Sequence, residues 1–296
     1  MNARNDIVWV DFHSHTTNSD GALTPEELWA IWNDLGLEAV SFTDHDSMWA
    51  YDHVLPRTSN MNLISGIEFT THYRQKTLHL LAFWLNHQDS EVWRFLQAQK
   101  EARRVRALQI RELLNIDLAK EGLEAISEEA ILSLETSEWP ITRPDIARYL
   151  IRIWYVKTFE EAFSKWLRHY EVPLESWDIY KVLGLIKDNG WVSILAHPFA
   201  KYVSVETIFI GFSDQINLLL GFKKWWLDGF EWFYGDQTPY ESSKAQEIAN
   251  KYNFLLTGGS DFHGEWRSSV KIPGVRMPRY FLDTFLDRVE KSRLPN

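Results

Sequence analysis

The first third of the chain alternates between segments with the hydrophobic spacing of strands and segments with that of helices. Ile7–Phe12 is a short, mostly apolar run, which predicts a strand. Thr24, followed by Pro25 and Glu27, has the capping-box pattern that predicts a helix start, and this helix is expected to end near Gly36. Further strands are predicted at Ala39–Thr43, Leu63–Phe69 and Leu78–Leu85. The chain therefore opens in the manner of α/β proteins.

Helical patterns replace this alternation in the middle of the chain. Helices are predicted at Glu91–Leu114, Ser127–Leu134, Pro144–Ile151 and Phe159–His169, and no convincing strand falls between about residues 88 and 171. The alternation then resumes, with strands predicted at Trp191–Ala196, Gly229–Tyr234 and Phe254–Thr257 and helices predicted at Ile179–Asp188, from Thr238 onward, and at Pro278–Lys291. We therefore expect a parallel α/β sheet or barrel formed by residues 1–100 and 169–296, with a helical insertion domain at 101–168.

Residues that can bind metals collect where the predicted strands end. Six of the 10 histidines lie at such an end or within a strand beside one, and three carboxylates share that setting. These residues are His13, His15, Asp20, His45, Glu68, His79, His197, Asp261 and His263. Because the carboxyl ends of parallel strands meet at one face, we expect these side chains to lie together. The other histidines, His53, His72, His87 and His169, stand in polar surroundings and are predicted to lie on the surface.

Neutral imidazole and carboxylate groups suit zinc, manganese and iron. These nine side chains are more than the roughly four to six ligands that one ion takes. They predict two or three divalent ions, with a carboxylate such as Glu68 shared between them. Cysteine is absent, so any ion here has nitrogen and oxygen ligands. Each short motif alone is also compatible with ordinary hydrogen bonds, and only the combination favours a metal centre. A Ser–His–Asp triad at Ser260, Asp261 and His263 is disfavoured, because these residues are too close in sequence to adopt its geometry easily.

The overall charge limits the kinds of molecule that the protein can bind. With 31 basic and 41 acidic residues the formal net charge is −10, which disfavours binding to duplex nucleic acid. A small phosphorylated substrate stays compatible, because bound cations reverse the local field. No apolar run approaches the roughly 20 residues of a membrane helix, and Met1–Asp6 is polar, unlike a signal peptide. We therefore expect a cytoplasmic protein with no membrane partner, and the sequence leaves its oligomeric state open.

The order of these motifs resembles that of the PHP (polymerase and histidinol phosphatase) superfamily. The matching segments are Asp11–His15, Ser19–Gly21, Thr43–Asp46, Gly66–Glu68, Leu78–Leu81, Leu195–Pro198 and Gly259–Gly264, in family order. The helical insertion, and aspartate rather than histidine at Asp20, make the chain most similar to the stand-alone phosphoesterase branch. That branch acts on nucleoside monophosphates, 3′,5′-bisphosphates and short RNA 5′ ends.

The resemblance implies a distorted (β/α)7 barrel, similar to a TIM barrel, with a trinuclear metal centre. The first ion would be held by His13, His15, Glu68 and Asp261, the second by Glu68, His79 and His197, and the third by Asp20, His45 and His263. A hydroxide that bridges two ions would be the nucleophile, because metals lower the pKa of bound water and neutralise phosphoryl oxygens. Asp44 would support catalysis by orienting a histidine.

Three arginines and one aspartate are predicted to meet the substrate. Arg103 and Arg106 match an Arg-x-x-Arg pattern of the branch, and Arg143 matches the start of its Arg-Pro-His motif. Guanidinium groups suit phosphate oxygens, although Arg103 and Arg106 are equally compatible with a solvated helix face. Arg143 is also a candidate catalytic residue. Asp145 stands where the branch has histidine, and it is predicted either to contact the substrate or to cap the helix that starts near Pro144.

Two classes of function stay open on the sequence. The first is a metal-dependent phosphoesterase that hydrolyses a phosphomonoester of a nucleotide or short oligonucleotide, with a histidinol-phosphatase-like enzyme as an alternative in the same class. The second is a noncatalytic PHP module in which retained metal serves structure or regulation. The complete ligand set favours the enzyme, because modules of the second class have lost ligands.

Overall fold

The computed structural model describes residues 6–53, 61–74, 76–84, 90–136, 140–170, 172–198, 212–233, 239–264, 270 and 273–292. His87 lies outside these residues, as do the predicted element ends Leu85, Tyr234 and Thr238. The chain divides into two compact units. Unit 1 contains Met1–Asp89 and Trp177–Asn296, and unit 2 contains Ser90–Ser176. The insertion predicted at 101–168 lies within unit 2, which is longer at both ends.

The described secondary structure alternates strands and helices over most of the chain. The strands are β1 (Ile7–Asp11), β2 (Ala39–Val40), β3 (Asn62–Leu63), β4 (Gly66–Tyr73), β5 (Lys76–Phe83), β6 (Trp177–Asp178), β7 (Val192–Leu195), β8 (Gly229–Phe233), β9 (Leu255–Gly258) and β10 (Val275–Pro278). The helices are α1 (Pro25–Leu35), α2 (Ala50–His53), α3 (Ser90–Lys120), α4 (Glu128–Leu132), α5 (Arg143–Arg152), α6 (Phe159–Ala162), α7 (Ile179–Asp188), α8 (Phe212–Lys223), α9 (Pro239–Tyr252) and α10 (Arg279–Ser292). A π-helical turn, Phe163–Leu167, follows α6 directly. None of the described helices has the length and apolar character that crossing a membrane requires.

The sequence signals around α1 act as predicted. The Glu27 backbone N–H donates to Thr24 Oγ1 at 3.2 Å, and the Thr24 N–H donates to the Glu27 carboxylate at 2.8 Å, which completes the capping box. Pro25 occupies the first turn, where its missing N–H costs no hydrogen bond. Gly36 ends the helix in the left-handed conformation, with φ 72°. Local sequence therefore determines both ends of α1.

Two sheets form the framework of unit 1. The first has the order β10-β1-β2-β3, in which β1 is antiparallel to β10 and parallel to β2. The second has the order β6-β4-β5-β7-β8-β9, in which β7, β8 and β9 are parallel neighbours connected by α8 and α9. The strand β5 is antiparallel to both β4 and β7. This reversal departs from simple alternation, because β4 and β5 form a hairpin with no helix between them.

The single strand predicted at Leu63–Phe69 is wrong, because two strands occupy this part of the chain. The first ends at Leu63, and the Ile64 N–H still donates to the Val40 carbonyl of the first sheet at 2.9 Å. The second begins at Gly66, which pairs with Phe83 in the other sheet. The continuous apolar run Leu63–Phe69 does not reveal that the chain leaves the first sheet and enters the second within it.

Hydrogen bonds join the two sheets at two places. The Phe12 N–H, just after β1, donates to the Gly258 carbonyl of β9 at 3.0 Å. The Asp46 N–H donates to the Glu68 carbonyl of β4 at 3.0 Å, and an isolated parallel bridge pairs His45 with Glu68. The α/β class with parallel strands is thus confirmed, and closure into the (β/α)7 barrel stays a prediction.

Unit 2 is built from helices around its own apolar core. On α3, the buried residues Ala107, Ile110, Leu114 and Leu118 recur every three or four positions, which is the spacing of one helix face. Trp166 of the π-helical turn belongs to the same core. The helix continues past its predicted end at Leu114, because Leu118 extends the apolar face by another turn. As predicted, the described residues of unit 2 contain no strand.

Candidate metal centre

Unit 1 brings the predicted metal-binding residues together. His13, His15 and Asp20 follow β1, His45 follows β2, His197 follows β7, and Asp261 and His263 follow β9. Backbone contacts fix the loops after β1 and β9 to each other, since the Asp261 N–H donates to the His13 carbonyl at 2.8 Å and the His15 N–H donates to the Phe262 carbonyl at 2.9 Å. Residues distant in sequence therefore share one edge of the framework.

Glu68 and His79 reach this edge from within strands. The prediction that Glu68 lies near a strand's carboxyl end is wrong, because β4 continues to Tyr73. In the antiparallel pair β4–β5, Glu68 stands opposite Leu81 and Thr70 stands opposite His79. This register places Glu68 and His79 diagonally on the same face.

Five imidazoles surround the fully buried carboxylate of Glu68. Its Oε1 atom lies 3.1 Å from His13 Nε2, 3.0 Å from His79 Nδ1 and 3.4 Å from His197 Nε2. Its Oε2 atom lies 2.9 Å from His45 Nδ1 and 3.2 Å from His15 Nε2. One side chain thus contacts residues that follow β1, β2 and β7 as well as its own neighbour β5.

Asp261 and Asp20 form a second group with the histidines. Asp261 Oδ1 lies 3.3 Å from His15 Nε2 and 3.5 Å from both His13 Nε2 and His263 Nδ1. Asp20 Oδ1 lies 3.3 Å from His263 Nε2 and 3.7 Å from His15 Nδ1. The rings of His15 and His263 stack with their centroids 4.0 Å apart. His15 therefore belongs to both groups.

Burial and neighbouring charge act in opposite directions on these groups. Burial alone would raise the pKa of Glu68, but the imidazoles of His45 and His13 hold it well below its usual value. Burial alone would lower the pKa of His13, but the carboxylates of Glu68 and Glu231 raise it well above its usual value. Burial dominates at His79 and lowers its pKa to about 4. Glu68 therefore stays ionised, and His79 stays neutral with a lone pair available to a metal.

The cluster fits metal ions better than it fits hydrogen bonds among its own members. Although the contacts to Glu68 are 2.9–3.4 Å, no hydrogen bond among the described residues reaches either Glu68 oxygen, Nε2 of His13 or His15, or Nδ1 of His45. These atoms are close together but not aligned for hydrogen bonds with one another, and lone pairs in such an arrangement can point to a shared cation. Three sets have donor atoms within 4.8 Å of one another: His15, Asp20, His45 and His263; His13, His15 and Glu68; and His45, Glu68 and His79. Their imidazole and carboxylate donors suit divalent ions.

Three residues in the loops of the centre have left-handed backbone conformations. The φ angles are 51° for Asp46, 29° for His197 and 52° for Asp261. Residues other than glycine adopt such angles infrequently, although aspartate and histidine tolerate them better than most. The surrounding hydrogen bonds therefore impose this backbone on the loops.

Asp44 is buried and holds the loop after β1 through three hydrogen bonds. It accepts hydrogen bonds from the Thr16 N–H at 2.7 Å, from Thr16 Oγ1 at 2.8 Å and from Ser19 Oγ at 2.6 Å. Ser19 Oγ in turn lies 3.4 Å from His15 Nδ1. Ser19 therefore connects Asp44 to His15, and the donors of Thr16 and Ser19 occupy both carboxylate oxygens of Asp44.

Glu231 also contacts the centre, although the sequence did not predict it as a site residue. This carboxylate of β8 is fully buried, lies 3.1 Å from His13 Nδ1 and accepts a hydrogen bond from the His197 N–H at 2.9 Å. A carboxylate on the second nitrogen of a metal-binding histidine fixes the ring and raises its basicity. The available signal was an acidic residue within an otherwise apolar strand, Gly229–Phe233.

Asp11 was also missed, although its motif was recognised. The Ser260 N–H and Ser260 Oγ donate to it at 2.9 and 2.7 Å, Ser14 Oγ donates at 2.6 Å and Trp32 Nε1 donates at 3.3 Å. Burial raises the pKa of Asp11, and these hydrogen bonds oppose that rise. Asp11 therefore ties the loop after β1 to the loop after β9, and five of the predicted ligands project from these two loops.

The predicted substrate arginines belong to unit 2, where they are largely buried. Arg106 Nε donates to the Val172 carbonyl at 2.9 Å, and a terminal nitrogen of Arg143 donates to the Tyr170 carbonyl at 2.5 Å. Burial and the charges of Arg143 and Arg103 lower the pKa of Arg106. The two carbonyls accept hydrogen bonds but carry no net charge, so an anion would stabilise this guanidinium cluster. Arg103 is buried, which contradicts the solvated helix face for that residue.

Asp145 caps α5, which is the structural alternative that the sequence left open. Its Oδ2 accepts hydrogen bonds from the Thr142 N–H at 2.9 Å and from Thr142 Oγ1 at 2.5 Å. Its Oδ1 accepts from Arg148 at 2.7 Å. Since both oxygens have protein donors, the prediction of Asp145 as a substrate-binding residue is not supported by its surroundings.

Replacing Glu231 with glutamine should weaken metal binding without unfolding the protein. The amide has nearly the same shape and can still accept from the His197 N–H, but it carries no charge to raise the basicity of His13. We expect the Kd for Mn2+ to rise about 10- to 100-fold, the usual effect of losing such a partner. Calorimetric titration measures the Kd, and Tm of the metal-free protein is the control; a fall in that Tm with an unchanged Kd would assign Glu231 to the fold alone.

Replacing Asp145 with alanine should lower stability and leave catalysis unchanged. Loss of the cap should reduce the free energy of unfolding by about 1 kcal/mol. Denaturant unfolding of wild type and variant measures this difference, and D145N serves as the matched variant because it keeps most of the capping geometry. A change in KM for a phosphorylated substrate, with stability intact, would contradict the structural role and restore the substrate-binding prediction.

Comparison with known proteins places this geometry in a family context. Residues 11–132 match the PHP domain. The chain is 27% identical to a 5′-3′ exoribonuclease from Haemophilus influenzae, over 86% of this chain and 89% of that protein. It is 24% identical to a 3′,5′-nucleoside bisphosphate phosphatase from Chromobacterium violaceum, over 86% of this chain and 87% of that protein.

A solved structure shares the fold. It is a predicted metal-dependent phosphoesterase from Bifidobacterium adolescentis, with a TM-score of 0.74 and 23% identity, covering 94% of this chain and 96% of that one. The matched PHP segment contains Asp11 and Asp44 together with His13, His15 and Glu68, which are residues of the centre described above. Residues 11–132 therefore match the PHP domain, and the resemblance of the sequence motifs to that family is confirmed.

Proposed function

We propose that this protein is a metal-dependent phosphoesterase that hydrolyses a phosphoester bond of a nucleotide or short oligoribonucleotide. The observation that carries the proposal is the convergence of five imidazoles on the buried Glu68 carboxylate, with two further carboxylates and His263 beside them. A buried group of this composition suits divalent cations and no other common catalytic arrangement. The fully retained donor set argues against a noncatalytic PHP module.

We assign three ions, manganese, zinc or iron, to the centre. His13, His15, Glu68 and Asp261 would hold one, Glu68, His79 and His197 another, and Asp20, His45 and His263 the third. Bound divalent ions supply an activated water and neutralise charge on phosphoryl oxygens. The chain's own residues prepare this chemistry, since Glu231 holds His13 and Asp44 holds the loop of His15 through Ser19. The framework is proposed to close as a (β/α)7 barrel, supported by the links between its two sheets.

The relatives favour a nucleotide-derived substrate. The Haemophilus influenzae relative is a 5′-3′ exoribonuclease, and its similarity extends over most of both chains. We therefore propose short single-stranded RNA, attacked from its 5′ end, as the first substrate class. The Chromobacterium violaceum relative makes a 3′,5′-nucleoside bisphosphate the second candidate. The charge of −10 argues against duplex nucleic acid as a partner, and a cytoplasmic location is proposed from the sequence alone.

Product analysis separates the two substrate classes. The protein is incubated with Mn2+ and either a 5′-phosphorylated pentaribonucleotide or adenosine 3′,5′-bisphosphate. We expect the oligonucleotide to release nucleoside 5′-monophosphates one after another from its 5′ end. Release of inorganic phosphate from the bisphosphate, with an intact oligonucleotide, would select the second candidate. Turnover of neither substrate, or of histidinol phosphate only, would contradict the proposal.

Removal of the Glu68 charge should abolish both metal binding and turnover. Glu68→Gln keeps the volume of the side chain but leaves the surrounding imidazoles without their shared carboxylate. We expect elemental analysis to show loss of bound metal and the rate to fall at least 1,000-fold, on the order of the loss of a metal's Lewis-acid contribution. His169→Ala, which removes an exposed histidine of unit 2, is the matched control and should retain metal and activity.

The Arg143 side chain is proposed to bind a phosphate of the substrate. Its side chain is partly buried, and the contact to the Tyr170 carbonyl does not neutralise its charge. Arg143→Ala should lower kcat/KM about 10- to 100-fold, the value of one charge-assisted hydrogen bond, with metal content unchanged. Arg152→Ala, an exposed arginine on the same helix, should behave as wild type. Loss of metal in Arg143→Ala would instead assign the residue to the architecture of the centre.

A further inference from the structure

A cavity of unit 1 combines basic and aromatic side chains. Its volume is about 260 Å³, and its lining consists of Lys187, Gly190, Trp191, Lys223, Trp226, Leu227, Asp228 and Arg288. Lys187 is at the end of α7, Lys223 is at the end of α8, and Arg288 is on α10. We name it the lysine–tryptophan pocket. Three cations against one carboxylate make it positive, in contrast to the net negative chain.

The pocket lies at the opposite end of the strands from the metal centre. The Ser193 N–H and Oγ, near the start of β7, bond to the Asp228 carboxylate at 3.0 and 3.2 Å, and Ser193 Oγ donates to the Trp226 carbonyl at 2.8 Å. His197 of the centre follows the other end of β7. Ser193 and His197 are four positions apart in the sequence, which corresponds to about 13 Å of extended chain at 3.3 Å per residue. The pocket is therefore a separate site.

The charges in the pocket are only partly balanced. Arg288 pairs with Asp228 at 3.2 Å, and this carboxylate is the single acidic group of the lining. Lys223 Nζ donates to the Asn253 carbonyl at 2.8 Å, which takes one hydrogen bond but no charge. Lys187 contacts Asp188 at 3.3 Å, but both side chains are exposed, and such a pair contributes little. An anion could thus meet two ammonium groups here.

The aromatic part of the pocket is Trp226. Its side chain is 47% exposed, and the ammonium group of Lys187 lies 4.6 Å from its ring centroid. An indole with this exposure offers a planar surface on which a nucleobase can stack, and lysines beside it suit the attached phosphate. Trp225 is equally exposed, at 48%, but it stands perpendicular to Trp226 and outside the lining.

We propose that the lysine–tryptophan pocket binds a nucleoside monophosphate. The base stacks on Trp226, and the phosphate contacts Lys187 and Lys223. A cavity of about 260 Å³ is slightly smaller than the usual lower limit of small-molecule sites, roughly 300 Å³, so one nucleotide, with its base on the exposed ring of Trp226, is the largest ligand we expect it to take. The site goes beyond the proposed function, because it needs neither metal nor turnover. If the proposed function holds, its ligand belongs to the chemical class of the product.

Calorimetric titration with a phosphonate analogue of AMP tests the pocket in the metal-loaded protein. In this probe a methylene group replaces the ester oxygen, so the centre cannot hydrolyse it. We expect Trp226→Ala to weaken one binding event about five- to hundredfold, the usual effect of losing one stacked base. Lys187→Gln should weaken the same event, and adenosine or inorganic phosphate alone should bind at least tenfold more weakly than the probe.

Matched variants separate this site from the metal centre. Trp225→Ala should bind as wild type does, and Trp226→Ala should keep wild-type turnover of p-nitrophenyl phosphate, which also shows that it is folded. Glu68→Gln should retain the event that Trp226→Ala weakens. Equal affinity in Trp225→Ala and Trp226→Ala, or loss of all binding in Glu68→Gln, would overturn the pocket. Failure of the proposed function would give a different result: the wild-type protein would show no turnover but would still bind the AMP analogue at Trp226.

Discussion

A carboxylate stays ionised in a protein interior only when other groups compensate its charge, and Glu68 is fully buried. The compensation comes from imidazoles that follow β1, β2 and β7 and from one in β5. The strands must therefore meet at one edge, because a displaced strand would leave the carboxylate or a histidine buried without its neighbour. A divalent cation among these donors would satisfy the same requirement more strongly than protons do, since it draws on all the lone pairs at once.

Around this carboxylate lies a layer of acidic residues that hold the loops. Asp11 connects the loops after β1 and β9, Asp44 holds the turn that leads to Ser19, and Glu231 spans His13 and the backbone of His197. Each receives N–H or O–H donors rather than facing solvent. The rotamers of the inner histidines are thus fixed before any ligand arrives, which is the condition for a precise metal site.

The structure brings together the inner set of residues that the sequence singled out, and there is a physical reason for this agreement. Short motifs at strand ends are local, and His13, His45 and Asp261 can be recognised from their immediate neighbours. Glu231 could not be recognised in this way, because its role depends on the sheet arrangement that brings β8 near the residues after β1 and β7. The same limit explains why no strand was predicted at β10. This strand pairs with β1, from the other end of the chain, and local sequence does not reveal such a partner. Asp145 differs, because the spacing Thr142-x-x-Asp145 is a local capping signal that requires no knowledge of the sheet register.

The discontinuity of unit 1 determines when the parts of this protein can form during synthesis. Unit 2 is one uninterrupted stretch, so its helices can pack as soon as Ser176 has left the ribosome. Unit 1 has to wait, because the bond between Asp11 and Ser260 joins residues 249 positions apart. At roughly 5–20 residues per second, its first strands spend many seconds without β9. During that interval the early histidines are exposed as a flexible chelating segment, and specificity for the correct metal exists only after the last strands arrive.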